Sequence, residues 1–170
     1  MPTEYPKADH TVDIVIFRRG MCKRGQTEQL GIQVALIKRT RRCFIGKWAF
    51  VGGFLDIASG ETLEEAAARE AKEEVAAKDL VLRQFRSYSD PRRDPDKRVI
   101  TTVFLTAVPQ GTKLIAGDDA GDAQWFDWYQ MPELAFDHAE IFRDIVTFAN
   151  PCVMCDTADR EAREQREGVI

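Results

Sequence analysis

The segment from Lys47 to Ala77 constrains the fold most, because two glycines join an apolar run to an amphipathic run. The apolar run, KWAFVGG, predicts a short strand that ends in a glycine turn. Further along, Thr62-Leu-Glu-Glu65 has the pattern of a capping box, which predicts a helix from about Thr62 to Ala77. A strand that leads into a helix in this way is typical of α/β domains.

Five further apolar runs predict strands, and a second amphipathic run predicts a helix. The strands are expected over 11–17, 32–38, 80–89, 99–108 and 124–128, and the helix over 138–148. The polar, glycine-containing stretch 18–31 predicts a hairpin loop. Residues 1–150 are therefore expected to form one α/β domain, with a mixed sheet and helices on its faces. Residues 151–170 are highly charged and predict a frayed or helical surface tail.

Composition is that of a globular protein and narrows the range of partners. Hydrophobic residues make up 44% and charged residues 31% of the 170 residues, which allows one buried core. The formal net charge of −4 gives no general attraction for nucleic acid. No apolar run approaches the roughly 20 residues of a membrane span. The N-terminus has no signal-peptide pattern, so a cytoplasmic location is expected.

The four cysteines predict neither a zinc site nor a redox centre. Two of them have Cys-x-x-Cys spacing, but no second such pair is present to complete a zinc site. That pair follows Pro151 late in the chain, not a strand as in thioredoxin-like units. Reduced thiols are expected at all four positions, which are Cys22, Cys43, Cys152 and Cys155.

Three glutamates, Glu70, Glu73 and Glu74, fall within five residues of the first expected helix. At about 100° per residue they share one side of the helix, whereas Arg69 points the other way. Carboxylates held close together repel one another, and their pKa values rise unless a cation neutralises them. Hard divalent cations such as Mg²⁺ and Mn²⁺ take carboxylate oxygens as ligands. The pattern predicts either a divalent-metal site or an ordinary solvated helix face with ion pairs.

The same residues resemble the Nudix box, G-x5-E-x7-R-E-U-x-E-E-x-G-U, in which U is a bulky aliphatic residue. The matching positions are Gly53, Glu61, Arg69, Glu70, Glu73 and Glu74. The resemblance extends over about residues 10–150. It implies the Nudix α/β/α sandwich, with a mixed β-sheet between helices. It also implies metal-dependent hydrolysis of a nucleoside diphosphate linked to another group.

The chain departs from the Nudix box at four places. The loop between Gly53 and Glu61 is two residues longer than in the motif, which puts the geometry of the site in question. Ala76 stands where the motif has glycine, and Val51 stands where many relatives have proline. Small residues replace aliphatic ones at two positions, Ala71 and Ala77.

The resemblance also implies roles for the matching residues. Glutamates at the positions of Glu70 and Glu74 typically bind the metal, Mg²⁺ or alternatively Mn²⁺, and Glu73 joins them or acts nearby. The carbonyl of Gly52 often completes such a site. The pair Glu61 and Arg69 is expected to brace the loop against the helix.

Three segments are similar to those of ADP-ribose hydrolases within the Nudix family. The first, YSDPRRDPDKRVITTVFL, suggests that Arg92, Arg93 or Arg98 contacts a phosphate or ribose, since arginine forks fit phosphate oxygens. The second, AGDDAGDAQWFDW, suggests a late carboxylate among Asp118, Asp119 and Asp122, or a plain acidic turn. The third is LAFDHAEIF, in which His138 is expected at the surface or at a cap.

Further substrate contacts are expected beside the glycine turn. Arg39 is expected to bind the diphosphate, and Gly53 permits a close approach of the backbone to a ligand. Trp48 and Phe50 alternate on the short strand, so they are expected either to stack on adenine or to pack in the core.

The leading hypothesis is hydrolysis of ADP-ribose to AMP and ribose 5-phosphate, with Glu73 or a carboxylate of the 118–122 loop as the base. A second hypothesis is an ADP-ribose-sensing regulator. Such regulators carry a DNA-binding winged helix, and only about 20 residues follow Asn150 here. The motif is also compatible with hydrolysis of NADH or of damaged nucleotides, since the fold does not fix the substrate. Resemblance to related hydrolases makes a homodimer plausible.

Overall fold

The structure is a computed structural model that describes residues 6–40, 43–116 and 120–167. Seven strands and three helices are assigned in these ranges. In chain order they are β1 (Asp9–Arg24), β2 (Thr27–Arg39), β3 (Trp48–Ala49), β4 (Val51–Phe54), α1 (Leu63–Val75), β5 (Arg83–Tyr88), β6 (Val99–Ala107), β7 (Ala120–Asp127), α2 (His138–Phe148) and α3 (Pro151–Glu167). None of the helices in these ranges is long and apolar enough to cross a membrane.

The strands form one mixed sheet, as the sequence predicts. Its main order is β3-β2-β1-β6-β5, with β4 paired to β1 and β7 paired to β2. The pair β1 and β6 is parallel, and the other pairs are antiparallel. Alternate residues of β1 face opposite sides of this sheet, so two separate cores form on its two faces.

Strands β1 and β2 continue through the stretch expected to be a loop, so the prediction for 18–31 is wrong. The ladder runs to the pair Arg24 and Thr27, and only two residues turn the chain. Gly25 has a φ of 63°, which glycine adopts without the clash of a Cβ atom. Polar residues are compatible with this arm because the backbone ladder itself supplies its hydrogen bonds.

The run KWAFVGG forms two short strands and not one. Trp48–Ala49 pairs with β2, whereas Val51–Phe54 pairs with β1, so the chain crosses between these strands at Phe50. Gly52 lies against the backbone of β1, and a Cβ atom there would come within 2.1 Å of the carbonyl oxygen of Val12. Glycine is therefore required where the crossing strand enters the site.

Helix α1 begins with the predicted capping box at Thr62 and Glu65, which is confirmed. The helix ends at Ala76, where the Nudix box has glycine, and this alanine has the left-handed φ of 55°. A left-handed conformation costs a residue other than glycine roughly 1–2 kcal/mol. The chain therefore makes a left-handed turn with alanine at this position.

The helices cover both faces of the sheet and make the implied α/β/α sandwich, which is confirmed. Helix α1 buries Ala67, Ala71 and Val75 on one face. On the other face, α2 buries Ile141 and Ile145. The segment expected to be a frayed or helical tail is α3, whose first turns bury residues 151 and 155. This helix packs on the same core as α2.

Candidate active site

Two carboxylates of α1 are held against the end of β4. A Cβ atom added to Gly53 would lie 2.2 Å from Oε1 of Glu70, so only glycine leaves room for this carboxylate. One turn further along, Oε2 of Glu74 accepts a hydrogen bond of 2.9 Å from the backbone N–H of Gly52. Both carboxylates therefore lie in direct contact with the double glycine.

The loop between β4 and α1 is fixed by Glu61 and Arg69. Two nitrogens of Arg69 donate to the two oxygens of Glu61, at 3.0 and 2.8 Å. Arg69 also donates to the carbonyl of Phe54, and Glu61 accepts from the backbone N–H of Asp56. The hydrogen bonds from Arg69, followed by that from Asp56, lower the pKa of Glu61 to about 2. The two extra residues of the loop thus leave the pair of Glu61 and Arg69 intact.

Arg69 does not point away from the carboxylates, so that expectation is wrong. Its Nη1 donates to Glu70 at 2.6 Å and to Glu73 at 3.2 Å. Arg69 and Glu73 are four residues apart and are therefore neighbours on the helix surface, so the arginine lies beside the acidic side and not opposite it. The side chain of Glu73 is 58% exposed, whereas the other two glutamates are turned inward.

Burial makes the two inward carboxylates weaker acids. It raises the pKa of Glu74 to about 8, and the charge of Glu70 contributes to this rise against the effect of the Gly52 N–H and Arg39. Burial also raises the pKa of Glu70, although Arg69 acts in the opposite direction. The site thus holds two buried acidic groups whose charges the protein compensates only in part.

These two carboxylates fit a hard cation. Among the described residues, Oε2 of Glu70 and Oε1 of Glu74 have no hydrogen-bond donor, so each has an oxygen available to a ligand. As the side chains stand, no three Asp, Glu, His or Cys residues in the described ranges converge closely enough to hold an ion. Glu73 is hydrogen-bonded to Arg69. Its side chain would have to turn from Arg69 for Glu73 to become a third ligand.

A cavity of about 330 Å³ lies beside the double glycine. Four of the predicted contact residues line it: Arg39, Phe50, Gly53 and Arg93. The guanidinium carbon of Arg39 lies 4.6 Å from the centre of the Phe136 ring, which also lines the cavity. Trp48 does not line it. The Trp48 ring instead packs edge-on against Phe126 in the core, with 4.6 Å between ring centres.

Of the three arginines suggested by the segment YSDPRRDPDKRVITTVFL, only Arg93 lines the cavity. Arg92 is exposed and pairs with Asp90 at 3.3 Å. Arg98 donates to the backbone carbonyl of Ser89 at 2.9 Å. The structure therefore does not bring Arg92 and Arg98 to the site.

His138 is buried, so its expected place at the surface is wrong. Its Nδ1 accepts from the backbone N–H of Phe50 at 3.1 Å, and its Nε2 lies 3.3 Å from Oδ1 of Asp13. Because Nδ1 accepts, Nε2 is the ring nitrogen that donates to Asp13. The imidazole also stacks on the ring of Phe50, with 4.8 Å between the centres.

Asp13 is a site residue that the sequence reasoning missed. It is buried in β1, where Oδ2 accepts from the hydroxyl of Thr101 at 2.7 Å and lies 3.5 Å from Nη2 of Arg93. Burial alone would raise the pKa of Asp13, but His138, Arg93 and Thr101 together lower it below its ordinary value. The signal in the sequence was a lone carboxylate inside the apolar run TVDIVIF.

Of the proposed late carboxylates, Asp122 lies within the described residues. Asp118 and Asp119 lie outside the described residues. Asp122 accepts a hydrogen bond of 2.8 Å from the adjacent N–H of Ala123 and does not line the cavity. The assignment of Asp119 as a catalytic residue therefore stays a prediction.

Comparison with known proteins points to one family. The model of the NUDIX domain matches residues 11–145. An ADP-ribose pyrophosphatase of Methanocaldococcus jannaschii is 44% identical over 118 residues, which cover 69% of this chain and 68% of the archaeal protein. The ADPR responsive transcriptional repressor NtrR of Acinetobacter baylyi is 25% identical over 143 residues, and the match spans 54% of that repressor.

A solved structure shows the same architecture. The NUDIX domain of Shewanella oneidensis NrtR, complexed with ADP ribose, superposes with a TM-score of 0.71 at 25% identity. The superposition covers 86% of this chain and 92% of that domain. The family match runs from β1 into α2 and includes the whole of α1, which carries the three glutamates. The chain therefore belongs to the NUDIX family.

Proposed function

We propose that this protein hydrolyses ADP-ribose to AMP and ribose 5-phosphate with the help of a divalent cation. The observation that carries the proposal is the placement of Glu70 and Glu74 against the Gly52–Gly53 strand, beside the cavity. The cavity volume of about 330 Å³ suits a small organic ligand. The archaeal relative named ADP-ribose pyrophosphatase supports this substrate.

Glu70 and Glu74 would hold the cation, and Glu73 would join them after turning from Arg69. Hydrolases of this family generally depend on divalent metals, and Mg²⁺ is our choice over Mn²⁺ because carboxylate oxygens suit a hard ion. When bound, such an ion neutralises charge on a diphosphate and makes a nearby water more acidic. Glu61 and Arg69 keep the loop closed on α1, and Gly53 leaves the room that Glu70 occupies.

Proton removal from the attacking water needs a carboxylate near the scissile phosphate. Glu73 and Asp119 are the two residues proposed for this role. Glu73 is solvent-exposed and lies on the same side of α1 as Glu70, which favours it. Arg39 is proposed to bind the diphosphate from the cavity side.

The proposal also includes an oligomeric state and a cellular location. A homodimer is supported by the exposed apolar side chains of Met21 and Leu30, which lie opposite each other on the arm of β1 and β2. Sedimentation velocity would measure the oligomeric state. A cytoplasmic location rests on the sequence expectation alone, and fractionation of the producing cells would test it.

The direct test is incubation of the purified protein with ADP-ribose and MgCl₂ or MnCl₂, with AMP measured by chromatography. Replacement of Glu74→Gln keeps the shape of the side chain but removes its charge, and we expect kcat to fall about 100-fold or more. Glu64→Gln is the matched control, because Glu64 lies exposed in the first turn of the same helix. Absence of AMP with either metal would refute the proposed activity, and full activity of Glu74→Gln would refute the role of this ligand.

A further inference from the structure

Arg93 lines the cavity with one nitrogen that the protein does not use. Its Nε and Nη2 donate to the two oxygens of Asp137, at 2.9 and 2.8 Å. No acceptor within the described residues is bonded to Nη1, although the side chain is only 5% exposed. Because Arg93 lines the cavity, this nitrogen is positioned to donate to a ligand there.

The charge of Arg93 is already compensated. Asp137 binds it through two hydrogen bonds, and Asp13 lies 3.5 Å from Nη2. In this buried group the one guanidinium of Arg93 therefore faces two carboxylates, Asp13 and Asp137. A phosphate placed against Nη1 would meet this excess negative charge at low dielectric, whereas a neutral oxygen acceptor would not.

The neighbouring loop also presents carboxylates and a positive charge that is already paired. Asp94 and Asp96 line the cavity next to Arg93, together with Lys97. The ammonium group of Lys97 is paired with Asp9 at 2.9 Å, so its charge is compensated too. Carboxylate oxygens accept hydrogen bonds from hydroxyl groups but repel phosphate. We call these four lining residues, 93, 94, 96 and 97, the loop wall.

We propose that the loop wall binds ribose hydroxyl groups of the substrate, with Nη1 of Arg93 as the donor, and excludes a phosphate at that position. The proposal rests on the proposed function, because it assigns part of the same cavity. Hydroxyl groups both accept and donate, so they can accept from Arg93 and donate to Asp94 or Asp96. ADP-ribose offers two riboses, and the chemistry of the wall is the same for either.

The first test compares three substrates in the presence of Mg²⁺: ADP-ribose, its 2′-phosphate on the adenosine ribose, and its 1″-phosphate on the distal ribose. We expect kcat/KM to fall at least about tenfold for one of the two phosphorylated substrates, which also identifies the ribose that faces the wall. Asp96→Asn should raise kcat/KM for that phosphorylated substrate several-fold, since it removes a repulsive charge. Equal kcat/KM for all three substrates would overturn the proposal.

The second test replaces Arg93. Arg93→Gln should raise KM for ADP-ribose about tenfold with little change in kcat, because the lost hydrogen bond is made in the ground state as well as in the transition state. Arg93→Lys keeps the positive charge, and its KM for ADP-ribose tests the proposal if Arg93→Gln does not fold. We expect it to raise KM several-fold. Arg86→Gln is the control, because Arg86 also pairs with a carboxylate, Asp144, but does not line the cavity.

Calorimetry with the α,β-methylene analogue of ADP-ribose separates this proposal from the activity itself. If the wild type binds the analogue and Arg93→Gln weakens that binding about tenfold, the loop wall is supported even when no AMP is formed. If the wild type hydrolyses ADP-ribose but Arg93→Gln and Arg93→Lys leave KM unchanged, the wall proposal fails and the proposed function stands.

Discussion

At the scale of the residue, the geometry of the site depends on positions where a side chain is missing. Gly52 and Gly53 lack Cβ atoms for different reasons. The first would collide with the carbonyl oxygen of Val12, and the second with the carboxylate of Glu70. The strand pairing requires the first glycine, and the position of the carboxylate requires the second. Substitution at Gly53 therefore tests the site with little effect on the sheet.

We expect Gly53→Ala to lower kcat/KM for ADP-ribose at least about tenfold, because the new methyl group displaces Glu70 and small misplacements are costly in catalysis. The free energy of unfolding should change by less than about 1 kcal/mol, because the atoms that must move are the terminal atoms of the Glu70 side chain. Steady-state kinetics and urea unfolding measure the two quantities.

Gly25→Ala is the matched control at the tip of the arm of β1 and β2. A Cβ atom there meets nothing within 4 Å, but the φ of 63° is unfavourable for alanine. This variant should lose about 1–2 kcal/mol of stability and keep its activity. Undiminished activity of Gly53→Ala would show that the carboxylate of Glu70 is not needed where the structure has it.

At the scale of the element, helix α1 connects the loop to the carboxylates. Its start is fixed by the reciprocal bonds of Thr62 and Glu65, at 3.2 and 2.7 Å. Its middle is tied back to the loop by Arg69 and Glu61. Both sets of hydrogen bonds involve the first two turns of α1. Each should therefore stabilise the helix and the loop together.

Thr62→Ala should lower the free energy of unfolding by about 1 kcal/mol, because the backbone N–H of Glu65 loses its acceptor. Thr62→Ser retains a hydroxyl group and should lose only a fraction of that amount. Urea unfolding at constant pH measures both variants. Equal stability of the alanine variant and the wild type would mean that water replaces the cap without cost.

At the scale of the whole molecule, the buried carboxylates link stability to pH. The pKa of Glu74 is about 8 in the folded protein against an ordinary value of 4.5. Between these values the folded chain holds a proton that the unfolded chain releases. The contribution of Glu74 to stability is therefore fully present below about pH 4.5, and is lost as the pH rises towards 8.

In the presence of a chelator, we expect the wild type to lose roughly a few kcal/mol of stability between pH 5 and pH 8 relative to Glu74→Gln. Saturating Mg²⁺ should reverse this trend, because a bound cation favours the ionised carboxylates. Urea unfolding at several pH values measures the difference. Parallel pH profiles of the two proteins in chelator would contradict the weak acidity of Glu74.

The sequence by itself determined the local features of this protein. The capping box, the helix over 138–148 and the spacing of the glutamates depend on residues within a few turns of one another, so periodicity and motif spacing are enough to find them. The family and the α/β/α fold follow from the same local pattern, because the Nudix box specifies a strand, a loop and a helix in a fixed order.

Only the tertiary structure decided which distant residues meet. Asp13, Arg93 and His138 are separated by tens of residues and come together because β1 pairs in parallel with β6 and α2 packs beneath them. The same packing places Trp48 against the core and away from the cavity, while Phe50 lines the cavity. Strand pairing and side-chain packing between remote segments are not encoded in local periodicity, so the polar network beneath the cavity required the assembled fold.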